Sequence, residues 1–384
     1  MIYFDNAATT GKKPKAVIKA VETALLEYSA NPGRSGHTLS VRAADTVYRV
    51  REKTAEFFGA SGPENIVFTL NCTHSINCVL KGLLRQGDHA VISSMEHNAV
   101  MRPLKKIGIP FDIAEVSLEN DDETLKELAK KIKPNTKLVF CTGASNVCGK
   151  ILPLRQIGEL CRKRGVLFGV DAAQIAGVVP INIKQMKIDF LCIAPHKGLY
   201  APMGVGILIC ERPLPNTVLE GGTGTNSADL FQPQLLPERH ESGTLNLPGI
   251  MGIGAGIDYV KQLGTEKISN HETGIIKTVY FGLRNNPEAV LYTPEPFVNS
   301  YAPVLSFNIS GVPSGVTANL LAENGIAVRG GLHCAPMAHR QLNTLDTGTV
   351  RLSTATFNTY SEAEAFLRLV NSQNFLKKLK KAIE

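Results

Sequence analysis

Four short polar clusters, each directly after an apolar run, carry side chains that could do chemistry: Asn71-Cys72-Thr73-His74, Glu96-His97-Asn98, Asp171-Ala172-Ala173-Gln174 and His196-Lys197-Gly198. Each alone has an ordinary structural role. Asp171 and Thr73 could cap helices, His97 could be a satisfied loop histidine, and Lys197 could be a solvated turn lysine. One chemistry needs all four together. Pyridoxal phosphate requires a lysine amine for its aldehyde, a carboxylate that keeps its pyridine nitrogen protonated, and a helix N-terminus for its phosphate. Lys197, Asp171 and the 71–73 turn offer this set, and His97 offers a ring to stack on the pyridine. The 26 residues from Asp171 to Lys197 allow one crossover and the next strand, so both can face one crevice.

Two further residues stand out. A planar guanidinium matches an α-carboxylate bidentately, which a lysine cannot do, and Arg351 follows a short strand, Gly348-Thr349-Val350, and precedes Ser353-Thr354-Ala355. Its ordinary alternative is a surface ion pair. Cys334 lies among Arg329, Gly330, Gly331, His333, Pro336 and His339, a glycine-rich, partly basic loop that favours a reactive thiolate over a packed thiol. The remaining cysteines read differently: there is no C-x-x-C, and Cys141, Cys192 and Cys210 lie in apolar strand-like runs. They are expected as buried reduced thiols, with neither a disulfide framework nor a metal site. Cys148 is expected to be packed as well. Gly221-Gly222-Thr223-Gly224-Thr225 looks like a phosphate cradle but precedes no apolar helix, so it is expected as a lid or hairpin over the site.

The elements that must position these groups follow from the pattern. From residue 65 onward, short β-branched runs at 66–68, 90–92, 138–140 and 166–170 alternate with amphipathic stretches, which predicts βαβ units and a mostly parallel, doubly covered sheet. The fold class is α/β. Strands at 190–193 and 205–209 and a helix from Leu247 to Leu263 complete this region. A helix near 267–284, a strand at 304–308, a helix at 314–324, short strands at 327–328 and 350–352 and a last helix from Ser361 predict a smaller α+β unit. The expected division is an N-terminal segment 1–14 packing with the small domain, a large domain 15–258, and a small C-terminal domain 259–384 carrying the Cys334 loop.

Composition excludes whole classes. The chain has 384 residues, 43% hydrophobic and 20% charged, which is neither disordered, collagen-like nor coiled coil. The formal charge of +7 is scattered, and its one dense run, Lys377, Lys378, Lys380 and Lys381, reads as the cationic end of a last helix. No nucleic-acid partner is needed to explain it. No stretch approaches the roughly 18 apolar residues of a spanning helix, and the N-terminus lacks a signal-peptide pattern, so a cytoplasmic protein with no membrane partner is expected.

Asp5-Asn6-Ala7-Ala8-Thr9-Thr10, Glu96-His97, Ser145-Asn146-Val147, Val170–Gln174, His196-Lys197 and Arg329–Ala335 together resemble the class V aminotransferase family. Within it they resemble the cysteine desulfurases and selenocysteine lyases of the Suf-like group, over about residues 3 to 370. The resemblance implies a pyridoxal-phosphate transferase of fold type I. It implies that Lys197 holds the cofactor, Asp171 pairs its ring nitrogen, His97 stacks on it and Gln174 bonds its phenolic oxygen. Cys72, Thr73 and His196 would hold its phosphate, and Thr244 would reach the phosphate of a neighbouring subunit, implying a homodimer. Asn146, Arg351 and Arg329 would serve the amino-acid substrate, L-cysteine or L-selenocysteine. Cys334 would take the sulfur as a persulfide, and an acceptor protein would collect it. The 17 residues from Cys334 to Arg351 make a short tether, so the enzyme alone is expected to be slow and to be accelerated by a docking acceptor. Departures from the family are Ala194, where a serine is usual, and Cys72, where a threonine is common; each removes or weakens a phosphate contact, worth something like 1 kcal/mol. Selenocysteine lyase, another class V aminotransferase or C–S lyase, and a non-catalytic sulfur-relay scaffold are the rival readings.

Overall fold

The computed structural model describes residues 1–33, 35–225 and 227–382. Strand β1 (Ile2–Tyr3) opens the chain. Strands β2 (Ile66–Thr69), β3 (His89–Ser93), β4 (Phe111–Ala114), β5 (Thr136–Thr142), β6 (Leu167–Asp171), β7 (Phe190–Ile193) and β8 (Gly206–Cys210) form one sheet in the order β2-β8-β7-β6-β5-β3-β4. Only β8 runs against the others. The α/β, mostly parallel architecture read from the sequence is therefore present.

Helices α1 (Lys15–Glu27), α2 (Thr38–Phe58), α3 (Cys72–Leu83), α4 (Asn98–Ile107), α5 (Asp121–Lys131), α6 (Leu154–Arg164) and α7 (Leu247–Leu263) cover both faces of this sheet. Side chains alternate across a strand, so Ile66 and Phe68 enter the core shared with α2, α6 and α7, while Val67 enters the core shared with α3 and α4. Burial on both faces explains why these strands are continuous apolar runs. Side-chain caps fix where the site helices begin: Asn71 accepts from the His74 amide at 2.9 Å to start α3, and His97 Nδ1 accepts from the Ala99 amide at 3.0 Å to start α4.

After α7 comes a break at Gly264, then α8 (Thr265–Arg284) and α9 (Ser314–Glu323), α10 (Pro336–Gln341), α11 (Tyr360–Val370) and α12 (Gln373–Lys381). Strands β9 (Ala289–Leu291), β10 (Val304–Ile309), β12 (Arg329–Gly331) and β13 (Thr349–Ser353) form an antiparallel sheet ordered β12-β13-β10-β9, and β11 (Ile326–Ala327) pairs with β1. A third core joins this sheet to α8, α11 and α12, and Phe4 packs into it edge-on to Phe366. The N-terminal segment is thus built into the second sheet's core.

Several elements differ from the sequence reading. Helices α1 and α2 and strand β4 were not anticipated; Phe111-Asp112-Ile113 alternates at an edge and is only half-buried, which leaves a weak apolar signal. The short strand expected at 327–328 is two strands, and the last helix is broken after Val370, with Ser372 capping α12. Arg351 lies inside β13 and does not follow a strand, because β10 and β12 both pair across it.

Candidate active site

Five strands of the large sheet end at one crevice. Asn71–Thr73 follow β2, Glu96–His97 follow β3, Asn146 follows β5, Asp171 ends β6, and His196-Lys197 follow β7. Outside the carboxyl ends of parallel strands is where such sheets bind ligands. A cavity of about 130 Å³ there is lined by Cys72, Thr73, His97, Asn146, Asp171, Gln174, Ala194, His196 and Lys197. All the cofactor residues expected from the sequence line it except Thr244.

The electrostatics suit an aldehyde-binding amine. Burial pushes the Lys197 pKa down, with Asp171 pulling it up, so its amine is more readily neutral and nucleophilic than a surface lysine's. Asp171, buried at the end of β6, accepts from the Ala173 amide at 2.9 Å through Oδ1. The Cys72 thiol donates to the same oxygen at 3.5 Å, and burial, then Asp171, holds that thiol protonated. Burial also lowers the pKa of His97 and takes His196 down to about 4, so both rings are neutral at pH 7. His196 Nδ1 lies 3.0 Å from Thr9 Oγ1, and Gln174 Nε2 donates to the Ala7 carbonyl at 3.2 Å. The start of α3 leaves amides without intrahelical partners, ready for an anion. A buried amine leaning neutral, a buried carboxylate, an imidazole and a helix N-terminus around one cavity fit pyridoxal phosphate.

The second sheet supplies the other wall. Arg351 is 1% exposed; its Nη2 meets Asp5 Oδ1 at 2.9 Å and its Nη1 donates to the Asn146 carbonyl at 3.0 Å, while Nε has no partner among the described residues. Arg329 pairs with it in strand register and is half-buried. The loop after β12 turns through Gly331, His333 and Cys334, with φ of 112°, 49° and 57°. Two consecutive non-glycine residues in the left-handed region cost about 1–2 kcal/mol each and mark a constrained turn. It is pinned at both carbonyls: Asn146 Nδ2 donates to His333 at 2.8 Å and the Asn98 amide donates to Cys334 at 2.7 Å. Of the eight cysteines, seven are buried and Cys334 is exposed. It lines an outer cavity of about 340 Å³ that shares Thr73, His97 and Ala99 with the Lys197 cavity.

Some expectations are relocated. Thr223 and Thr225 line a different cavity, of about 650 Å³, with Tyr48, Arg51 and Glu241, so the 221–225 segment does not line the Lys197 crevice of its own chain. Gly243 and Leu245, on either side of Thr244, line that same cavity, and Thr244 is 3.4 Å from Asn31 Nδ2. Cys148 is fully buried, as a packed thiol should be. The sequence reading missed Asp5 as the partner of Arg351. It named Glu96 without giving it a role: Glu96, fully buried just after β3, accepts from Ser93 Oγ and, at 2.7 Å, from the Thr142 amide, and burial raises its pKa to about 8. The signal for Asp5 was its place in the Asp5–Thr10 motif; nothing local named its partner.

The class-V aminotransferase family model matches residues 2–366. A probable cysteine desulfurase of Pyrococcus abyssi is 35% identical over 378 residues, 96% of this chain and 92% of that one, and one of Synechocystis is 32% identical over 96% and 90%. A solved apo cysteine desulfurase of Thermococcus onnurineus superposes with a TM-score of 0.88 at 34% identity, covering 99% of this chain and 95% of that one. An Escherichia coli cysteine desulfurase gives 0.86 at 27%, covering 98% and 95%. The fold is that of the pyridoxal-phosphate transferases of fold type I. This chain belongs to the class-V aminotransferase family.

Proposed function

We propose that this protein is a pyridoxal-phosphate-dependent cysteine desulfurase that converts L-cysteine to L-alanine and passes the sulfur through a persulfide on Cys334 to an acceptor. The observation that carries this reading is the shared wall: the one exposed cysteine opens on a cavity that meets the Lys197 cavity at His97 and Thr73. An aminotransferase would have no use for such a thiol.

Lys197 would hold the cofactor's aldehyde carbon, Asp171 its ring nitrogen, His97 its ring face, Gln174 its phenolic oxygen, and Cys72, Thr73 and His196 its phosphate. When bound, the cofactor withdraws electrons from Cα of the amino acid, which makes the Cα proton acidic and the Cβ–S bond labile. Arg351 and Asn146, with Arg329 beside them, receive the substrate carboxylate, for which the unpartnered Nε of Arg351 leaves a donor free. The Lys197 amine takes the Cα proton and returns it. Cys334 thiolate attacks the substrate sulfur; the C–S bond breaks, its electron pair stays on carbon and is protonated to alanine, and Cys334 keeps the sulfur as a persulfide. The constrained, pinned turn holds that thiol at the mouth of the cavity.

The same reading divides the chain into a segment 1–14, a large domain 15–258 and a small domain 259–384. It includes a homodimer in which Thr244 reaches a neighbour's phosphate, supported by the exposed Leu230, Phe231 and Leu235 in the segment leading to Thr244. Among the described residues no helix is long and apolar enough to cross a membrane; cytoplasmic action, where thiols stay reduced, belongs to the proposal.

The deciding experiment incubates holoenzyme with L-cysteine in two arms: with dithiothreitol it measures alanine, and without dithiothreitol, which would strip a persulfide, it takes mass spectra of the peptide containing Cys334. One added sulfur atom and stoichiometric alanine are expected, and Cys334→Ala should lose both while keeping the bound cofactor's visible absorbance. Full alanine production by Cys334→Ala, or pyruvate and ammonia in place of alanine, would overturn the assignment.

A further inference from the structure

The outer cavity at Cys334 is a groove between two neighbouring helices that present matched stripes. Thr73, Asn77 and Lys81 lie at i, i+4 and i+8 on α3; Asn98, Arg102 and Lys106 repeat that spacing on α4. Both stripes begin at the helix N-termini beside His97 and Cys334 and run outward for eight residues, roughly 12 Å. Lys81 and Lys106 end the two stripes and Arg102 stands one turn before Lys106; all three are exposed, and none makes a hydrogen bond or ion pair among the described residues. Among the described residues no carboxylate lines the groove.

We propose that this groove docks a loop of a sulfur-acceptor protein, a loop whose reactive cysteine stands roughly 10 Å from a group of aspartates or glutamates. The inference rests on the desulfurase reading and names the chemistry of its partner. With the acceptor cysteine at Cys334, its carboxylates meet Lys81, Arg102 and Lys106. The acceptor thiolate attacks the outer sulfur of the Cys334 persulfide; the S–S bond breaks, its electron pair returns to Cys334 as thiolate, and the acceptor leaves as the new persulfide, with no oxidant consumed. Exposed cations are individually weak, but three of one sign around an open groove steer an anionic partner and favour its thiolate form. Lys81 and Lys106 stand two helical turns, roughly 12 Å, beyond the residues at the Cys334 end of the groove, so meeting them as well as Cys334 calls for a length of polypeptide, which a small thiol does not have.

The test uses holoenzyme, L-cysteine and three acceptors: a peptide of about nine residues with one cysteine and several aspartates, its asparagine twin, and dithiothreitol as the internal reference. At low salt the aspartate peptide should clear the persulfide about tenfold faster than its twin, relative to dithiothreitol, with the advantage shrinking as salt is added. The triple variant Lys81→Glu, Arg102→Glu, Lys106→Glu should lose the advantage. Lys105→Glu should keep it, since that ammonium lies instead 5.2 Å from the Phe111 ring centroid. Equal rates for the twins, or an advantage that survives the triple variant, overturns the proposal. A matching advantage of mercaptosuccinate over 2-mercaptoethanol, lost in the triple variant, also overturns it, because a small acid then fills the groove. Binding of the peptides with serine in place of cysteine, followed by fluorescence anisotropy, is read separately. If no alanine forms even with dithiothreitol, the desulfurase reading fails by itself, and tighter binding of the aspartate peptide to wild type than to the triple variant still decides the groove's charge preference.

Discussion

Arg351 and Asp5, 346 positions apart in the chain, form an ion pair at 2.9 Å in which the arginine is almost wholly enclosed and the aspartate side chain is 21% exposed. The aspartate balances a cation that the second sheet has buried, and it leaves Nε free for a ligand. Removing one partner of a buried pair strands the other charge and costs about 3–5 kcal/mol. Asp5→Ala should therefore lower the unfolding free energy by about 3 kcal/mol, while Asp5→Asn, which keeps an acceptor, should lose less. Urea denaturation of the three proteins checks this; equal midpoints would show that the pair contributes nothing. Arg351→Lys should raise KM for L-cysteine about as much as Arg351→Ala does, since a lysine cannot replace the fork.

His97 performs two tasks that substitution can separate. Its Nδ1 caps α4, and its ring forms part of the wall between the two cavities. His97→Asn should preserve most of the cap, whereas His97→Ala should cost about 1 kcal/mol of stability. Both should reduce kcat by about a hundredfold or more if the ring serves the chemistry. Thermal melts combined with alanine-release kinetics distinguish the tasks, and near-normal turnover by the asparagine variant would remove the ring from the mechanism.

The pH dependence of stability has two opposed limbs. Burial, aided by Arg351, pushes His333 down to about 2, while an unfolded histidine titrates near 6.5. The folded state binds fewer protons, so this contribution is complete above pH 6.5 and is lost as pH falls toward 2. Glu272 has the opposite sign. Burial raises it to about 8, so the folded state keeps a proton that the unfolded chain releases above about 4.5, and stability falls as pH climbs from 4.5 to 8. Each limb has a slope of about 1.4 kcal/mol per pH unit per group. His333→Gln should flatten the acid side and Glu272→Gln the alkaline side, measured by urea titrations at several pH values. Unchanged slopes in both variants would mean that neither group titrates on unfolding.

How much of this was readable beforehand varied with the kind of signal. Helix α7 begins and ends at the residues the apolar pattern indicated, because a long periodic run bounded by Asn246 and Gly264 carries its own caps. Strands β5 to β8 were equally plain, being buried on both faces. Helices α1 and α2 were not read, and edge strand β4, half-buried, carries little signal. The four polar clusters at strand ends were found because in a parallel sheet a strand's end and a ligand crevice are the same place. The 221–225 segment borders a cavity with Tyr48 and Arg51 and not its own chain's crevice, because a glycine-rich stretch specifies freedom at its own bonds and does not choose its neighbours.

The order of residues alone determined which side chains stand at the carboxyl ends of β2, β3, β6 and β7, since alternation and turn chemistry are properties of neighbours along the chain. Tertiary structure decided that Asp5 faces Arg351, that the Cys334 turn is pinned by Asn98 and Asn146, and that two polar stripes on separate helices, with three cations between them, border one groove. Those pairings join segments as much as hundreds of residues apart. They depend on how the packed cores seat one sheet against the other, which no local stretch encodes.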